Sequence, residues 1–156
     1  MAEPKVGPEL ARLGKDVGDW DGVISVTPAP GAPAQESKGR LNGKLISGGK
    51  WLILDFKNHT TGFEGHGIYG FDPAKKRYVG TWVDDVRGTI DVAEGDWDDD
   101  TRTLTYHWST TLPNGSKMSW TETSQKVSDS EQVFRVFFPQ PDGSPFEMMR
   151  AVYKKA

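Results

Sequence analysis

Proton transfer, metal binding and nucleophilic attack each need particular side chains, and this sequence offers few of them. There is no cysteine, which removes disulfides, thiolate metal sites and thiol nucleophiles together. The only imidazoles are His59, His66 and His107, and no His-x-His or His-Glu-x-x-His spacing occurs, so no metal site is expected. Serines are frequent, yet none stands in a Gly-x-Ser-x-Gly turn, and no glycine-rich loop opens a helix to cradle a phosphate. The acidic run Asp96-Trp97-Asp98-Asp99-Asp100 suits a turn between strands, where Asp accepts local backbone hydrogen bonds.

One cluster stands out. Period-two alternation puts Tyr78, Gly80, Trp82 and Asp84 on one face of an extended segment, with Asp84-Asp85 at its end and Arg87 within reach of either carboxylate. An acid beside an aromatic wall could orient a polar ligand, or act as a general base if burial raised its pKa. The same residues also make an ordinary strand-end turn with a surface ion pair. His66 lies mid-strand between Gly65 and Gly67, where a planar group could approach the backbone, although both glycines point away from the histidine's face. A surface histidine is the plainer reading. His107 alternates with Tyr106 and Trp108 and points outward if they point in.

Arg135 alternates with Val133 and Phe137 in an apolar strand. Facing inward it would be a buried cation in need of an anion, such as a ligand carboxylate; facing outward it is a solvated residue. Glu122, on the strand Met118, Trp120, Glu122, poses the same question. The six tryptophans either fill a core or line an apolar pocket. The candidate ligand-binding set is therefore His66, Tyr69, Tyr78, Trp82, Asp84, Arg87, Trp120 and Arg135, with no residue singled out as catalytic.

The elements that would carry these residues are short strands. Eighteen glycines and ten prolines argue against a helical bundle, and the aromatic content of 11% argues against disorder. One short helix is predicted at 8–13, with Pro8 in its first turn and Gly14 just past its end. Strands are predicted at 19–27, 37–46, 50–58, 62–71, 77–84, 89–97, 103–110, 117–124, 132–139 and 146–154. Asn114-Gly115 and Asp142-Gly143 supply the positive φ of hairpin turns. Ten strands in hairpin order would leave two exposed edges if the sheet stayed open, so closure is expected. The fold expectation is all-β: a ten-stranded antiparallel up-and-down barrel over 16–156, preceded by a 1–15 segment with the short helix.

Several stretches carry a family resemblance: Phe63-Glu64-Gly65-His66-Gly67-Ile68-Tyr69-Gly70-Phe71-Asp72, Tyr78-Val79-Gly80-Thr81-Trp82-Val83-Asp84, Gly18-Asp19-Trp20-Asp21-Gly22, Gly48-Gly49-Lys50-Trp51-Leu52, and Phe146-Glu147-Met148-Met149 with Tyr153. In this order they resemble the bacterial family called domain of unknown function 1579, over about residues 13–153. The resemblance implies a lipocalin-like, calycin-type barrel and no assigned activity. It also implies that Trp20 closes one barrel end near a basic residue of the last strand, Arg150 or Lys154. Related barrels of the nitrobindin type bind haem, which here would call for His66 as axial ligand. No cofactor is otherwise evident.

The net charge of −3, with both signs interspersed, argues against nucleic acid. No stretch approaches the apolar length of a membrane span, and residues 1–14 contain no apolar run of the kind a signal peptide needs, so a cytoplasmic protein is expected. The leading expectation is a barrel that binds a small hydrophobic or carboxylate-bearing molecule. The alternatives are a cavity enzyme using Asp84 and His66, and a homodimeric interaction protein.

Overall fold

A computed structural model describes residues 7–156. The chain opens on α1 (Pro8–Gly14) and continues through β1 (Gly18–Val26), β2 (Gln35–Ile46), β3 (Trp51–Asn58), β4 (Glu64–Asp72) and β5 (Arg77–Asp84). It ends with β6 (Asp91–Asp98), β7 (Thr103–Thr111), β8 (Lys117–Ser128), β9 (Glu131–Pro139) and β10 (Pro145–Lys155). Each strand pairs antiparallel with its sequence neighbours, and β1 pairs with β10, so the barrel closes and no strand is left as an edge. The predicted ten-stranded antiparallel barrel and the predicted helix are both present. Residues 1–6 of the predicted N-terminal segment lie outside the described residues.

Alternation decides which side chains fill the barrel. In β1, Trp20, Gly22 and Ile24 are buried while Asp19, Asp21 and Val23 face solvent. Two hairpins share one construction. Asp72 Oδ1 accepts from the backbone N–H groups of Ala74 and Lys75 before Lys76 at φ 54°, and Asp98 Oδ1 accepts from those of Asp100 and Thr101 before Arg102 at φ 52°. The acidic run at Asp96–Asp100 is thus the end of β6 and the start of the turn that follows it. Among the described residues no group of three or more His, Asp or Glu side chains could hold a metal ion.

A seven-residue helix does not hold itself together in water, so α1 depends on what it covers. It lies across one end of the barrel. Leu13 joins the core there, Tyr78 Oη donates to the Glu9 carbonyl at 3.1 Å, and the Arg12 guanidinium sits over the Trp97 ring at 5.1 Å. Just past the helix, Trp20 Nε1 donates to the Asp16 carbonyl, and the Lys126 ammonium pairs with the Asp16 carboxylate. Strand β8 runs on to Ser128, beyond the predicted end at 124, because it stays paired with β9 as far as Glu131, and this carries Lys126 inward to Asp16. The cation over Trp20 is Lys155, at 5.4 Å, in place of the expected Arg150 or Lys154: Trp20 is paired with Lys155, and Lys154 turns to the outside.

The interior is built as two walls. One buried cluster gathers Leu52, Tyr69, Tyr78, Tyr106, Trp108, Trp120 and Val136; the other gathers Trp20, Ile24, Leu41, Ala151 and Tyr153. Leu54, Phe134 and Met149 touch both, and they stay only partly buried although register turns them inward. The two clusters are bridged by inward residues that are not fully buried, so the interior is not filled to the density of a closed core. A ten-stranded barrel is wide enough for that.

Candidate functional site

Among the described residues the end opposite α1 is covered by strand connections alone, and Trp82, Asp84, Arg87, Asp91 and Trp120 gather there. Trp82 comes inward on β5, and its ring lies flat on Gly65: a Cβ at that position would stand 2.1 Å from Trp82 Cζ2. Tyr69 is seated in the same way, over Gly67 and Gly80. The planar groups that the bare faces of Gly65 and Gly67 receive are thus the protein's own rings.

Asp84 has its acceptors committed. One oxygen takes the Trp82 indole N–H at 3.1 Å, and the other takes the backbone N–H groups of Val86 and Arg87 at 3.0 and 2.9 Å. It forms the turn and fixes the indole. Arg87 turns from Asp84 and Asp85 to Asp91, donating to Oδ2 at 2.8 Å, while Thr89 Oγ1 donates to Oδ1 at 3.3 Å. Asp91 is 1% exposed, and its pairing with Arg87 is what makes that burial tolerable. The Arg87 guanidinium also lies 5.1 Å from the Trp120 ring centre, so one cation bridges a buried acid and an aromatic face at the barrel mouth.

Deeper in, Tyr69, Tyr106 and Trp108 form a mutually contacting set with ring centres 5.6–6.2 Å apart, and Trp120 stacks on Trp108 and on Phe138. Glu122 stands directly opposite Tyr106 across the β7–β8 pair and diagonal to Trp108. Burial pushes its carboxyl up to about 8, with the indole N–H groups of Trp108 and Trp120 pulling the other way. Trp108 Nε1 approaches without completing a hydrogen bond, and Trp108 Nε1 and Tyr106 Oη are both buried with no partner. Burial likewise pushes the Tyr69 and Tyr106 hydroxyls well above the usual phenol range. Mid-barrel therefore holds a neutral carboxyl, a phenol and an indole N–H whose hydrogen bonding is incomplete.

The predicted set divides by location. Trp82, Asp84, Arg87 and Trp120 meet at the mouth, and Tyr69 lies below them. Tyr78 also points inward, but under α1 at the far end, where it donates to the Glu9 carbonyl and accepts from Arg12 Nη1 at 3.4 Å. His66 and Arg135 are on the outer surface. His66 Nδ1 is 2.6 Å from Asp55 Oδ1, its side chain is 47% exposed, and the Asp55 carboxylate raises its pKa. An imidazole facing solvent cannot serve as axial ligand to a group inside the barrel. Arg135 forms a charge contact with Glu147 at 3.2 Å, because register with β8 and β10 turns Phe134 and Val136 inward and Arg135 out.

Asp91, Tyr106 and Trp108 were not in the predicted set. Alternation with Ala93, Gly95 and Trp97 marks Asp91 as an acid on an otherwise small and apolar face, which was the available signal. For Glu122 the signal was the Asn114-Gly115 turn, which fixes how β7 and β8 pair and so sets this acid against Tyr106.

The sequence from residue 5 to 155 matches the family described as protein of unknown function (DUF1579), and the chain belongs to that family. No curated protein matches it. Among solved structures it is similar to Rv2717c from M. tuberculosis, at 12% identity and a TM-score of 0.68, covering 97% of this chain and 99% of that one. It is also similar to the S-type phycobiliprotein lyase CPES from Guillardia theta, at 10% identity and a TM-score of 0.62, covering 97% and 98%. At these identities the likeness is one of fold alone.

Proposed function

We propose that this protein binds a small, mainly apolar molecule inside the barrel, entering at the end that α1 leaves uncovered. The observation that carries this reading is the mid-barrel trio of Glu122, Tyr106 Oη and Trp108 Nε1. Buried polar groups are nearly always paired, and Tyr106 Oη and Trp108 Nε1 are left without a partner among aromatic walls, beside the buried Glu122 carboxyl. A ligand with one polar end would complete them. The barrel shared with a phycobiliprotein lyase is consistent with a container, by analogy of fold. A carboxylate on the ligand loses its expected partner, since Arg135 faces outward. The catalytic alternative loses both its groups: His66 is outside, and Asp84 is committed to the turn.

The test is uptake of the neutral dye Nile red, alongside native mass spectrometry of gently purified protein. Saturable one-site uptake is expected, together with loss of at least tenfold in affinity for Leu54→Trp, which adds bulk where the two walls meet. A clean ligand-free mass with no saturable uptake overturns the reading. A second reading, a homodimer through the outer face, draws on Ile68, Val83 and Val92, exposed on the adjacent strands β4, β5 and β6. Analytical ultracentrifugation measures it directly.

A further inference from the structure

We infer that the cleft beside α1, at the end of the barrel that the Lys126 side chain helps to close, is a binding site for a compact oxyanion of the size and shape of phosphate. The cleft has a volume of about 100 Å³ and lies where the exit of α1, the β6–β7 turn and the β8–β9 turn come together. That is room for a group of a few heavy atoms, well short of the roughly 300–1,000 Å³ of pockets that hold drug-sized ligands. The site is separate from the aromatic interior and from whatever that interior holds.

Two observations point there. The first is Gln132, which lines the cleft and is itself only 4% exposed. Its Oε1 accepts from the Lys126 ammonium at 2.7 Å. An ammonium can only donate, so the amide must give its oxygen to Lys126 and turn its nitrogen away. That nitrogen, Nε2, is buried with no partner. Lys126 cannot supply one, because its protons go to Asp16, to Gln132 and to Ser124 Oγ. The network is thus complete but for one acceptor, on the side of the amide that Lys126 does not occupy. An unpaired buried N–H is costly, and an acceptor arriving in the cleft removes that cost.

The second observation is the sign of the charge. Arg12, Lys15, Arg102 and Lys126 line the cleft against the single carboxylate of Asp129. Lys126 is committed inside, and the other three cations are loosely held. Arg12 reaches Asp99 only at 3.7 Å and Tyr78 Oη at 3.4 Å, and Lys15 meets Asp129 at 3.3 Å with both side chains mostly in water. Exposed pairs of this kind contribute less than about 1 kcal/mol, so an incoming anion competes with them easily. Arg102 has no carboxylate partner among the described residues. Trp20 and Trp97 supply apolar walls, their indole N–H groups already given to the Asp16 carbonyl and to Asp99 Oδ1. Such walls exclude water and strengthen charge contacts made beside them. Donors on α1, on the β6–β7 turn and on β9 thus border one small space. A tetrahedral oxyanion can accept from all three sides, whereas a carboxylate offers two oxygens in one plane, and guanidinium groups match phosphate geometry well.

The test is a titration of the isotope-labelled full chain with inorganic phosphate at pH 7.5, ionic strength held constant with sodium chloride. Nuclear magnetic resonance follows the Gln132 side-chain amide and the Trp20 and Trp97 indole N–H signals. Saturable shifts at all three, with one dissociation constant, are expected, and acetate should bind at least fivefold more weakly. Gln132→Glu keeps an oxygen for Lys126 but replaces the N–H donor with an acceptor, so phosphate affinity should fall at least tenfold. Arg102→Asn should lose at least fivefold with an unchanged urea midpoint, since Asn tolerates the left-handed backbone there, at φ 52°. Should Gln132→Glu not fold, Arg102→Asn decides alone. Shifts that do not saturate, acetate binding as tightly as phosphate, or affinity unchanged in the variants overturns the site. Nile red uptake reads the interior and should be the same with and without phosphate, so this inference and the container reading can fail separately.

Discussion

At the end covered by α1, the Lys126 ammonium donates to the Asp16 carboxylate, to Gln132 Oε1 at 2.7 Å and to Ser124 Oγ at 3.3 Å, leaving the Gln132 amide nitrogen as the one orphan of that network among the described residues. Four residues back along the same face of β8, Glu122 meets Tyr106 and Trp108, and the three complete no hydrogen bond among themselves. Both regions place charged or polar side chains against an apolar wall. At the first, partners from α1's exit, β8 and β9 converge and the network plugs the barrel. At the second, a carboxyl, a phenol and an indole N–H lie close together and the hydrogen bonds that would join them are not completed. A buried unpaired polar group costs roughly 1–3 kcal/mol, so a fold that carries several in one place has given up stability there. The plug itself is built for the fold, and the unfinished middle for something the fold receives.

The sharpest way to break that contrast is to unpair the plug. Lys126→Ala leaves the Asp16 carboxylate buried without its cation and should cost about 3–5 kcal/mol, read as a shift in the urea midpoint at pH 7. Replacing both partners, Lys126→Met with Asp16→Leu, should recover most of that loss, since the charges are removed together. If Lys126→Ala alone costs under 1 kcal/mol, the network does not hold the helix end, and the difference between the two regions disappears.

The same contrast explains what the sequence could show. Strand number and closure were readable from the turns, which carry Asn-Gly and Asp-Gly, and Tyr78, Gly80, Trp82 and Asp84 were readable as one face of β5, though not as its inward face. Which of two faces Arg135 takes was not readable. Both faces of β9 are apolar, with Val133 and Phe137 on one and Phe134, Val136 and Phe138 on the other, so alternation there has no polar partner to break the tie. Pairs such as Asp16 with Lys126 or Arg87 with Asp91 depend on how the closed barrel brings strands and α1 together. A surface-type Asp84–Arg87 pair looked equally good from spacing alone. The mid-barrel trio needed the β7–β8 register before its three members could be placed in one spot.

The unfinished middle has its own signature in the pH dependence of stability. Glu122 ionises near 4.5 when solvated and near 8 in the barrel. Between those values the unfolded chain has released this proton and the folded chain has not. The unfolded state therefore binds fewer protons, and stability contributed by this group falls as pH rises from about 4.5 to about 8, then stays level. Glu122→Gln should remove that decline and leave the variant more stable than the natural protein above pH 8, by up to roughly 5 kcal/mol. Near pH 4 the two should be alike. Urea titrations from pH 4 to 9 measure it, and a decline that persists in Glu122→Gln assigns the effect to another group.

The smallest effect belongs to the outer face and bounds the comparison from the other side. The Asp55 carboxylate raises the His66 pKa through its hydrogen bond, opposed by partial desolvation and helped by Glu64. A histidine whose folded pKa exceeds its unfolded value stabilises the fold fully below the unfolded value, near 6.5, and loses that contribution as pH rises through the raised one. Nearly half of this side chain is in water, where screening and side-chain entropy consume most of the gain, so His66→Gln should cost less than about 1 kcal/mol at pH 5.5 and nothing measurable at pH 9. Nile red uptake should be unchanged in the same variant, because the imidazole is on the far side of β4 from the barrel interior. A variant that loses uptake while keeping its stability would place His66 in the path of the ligand, and the division between an interior that binds and an exterior that is merely solvated would have to be redrawn at β4.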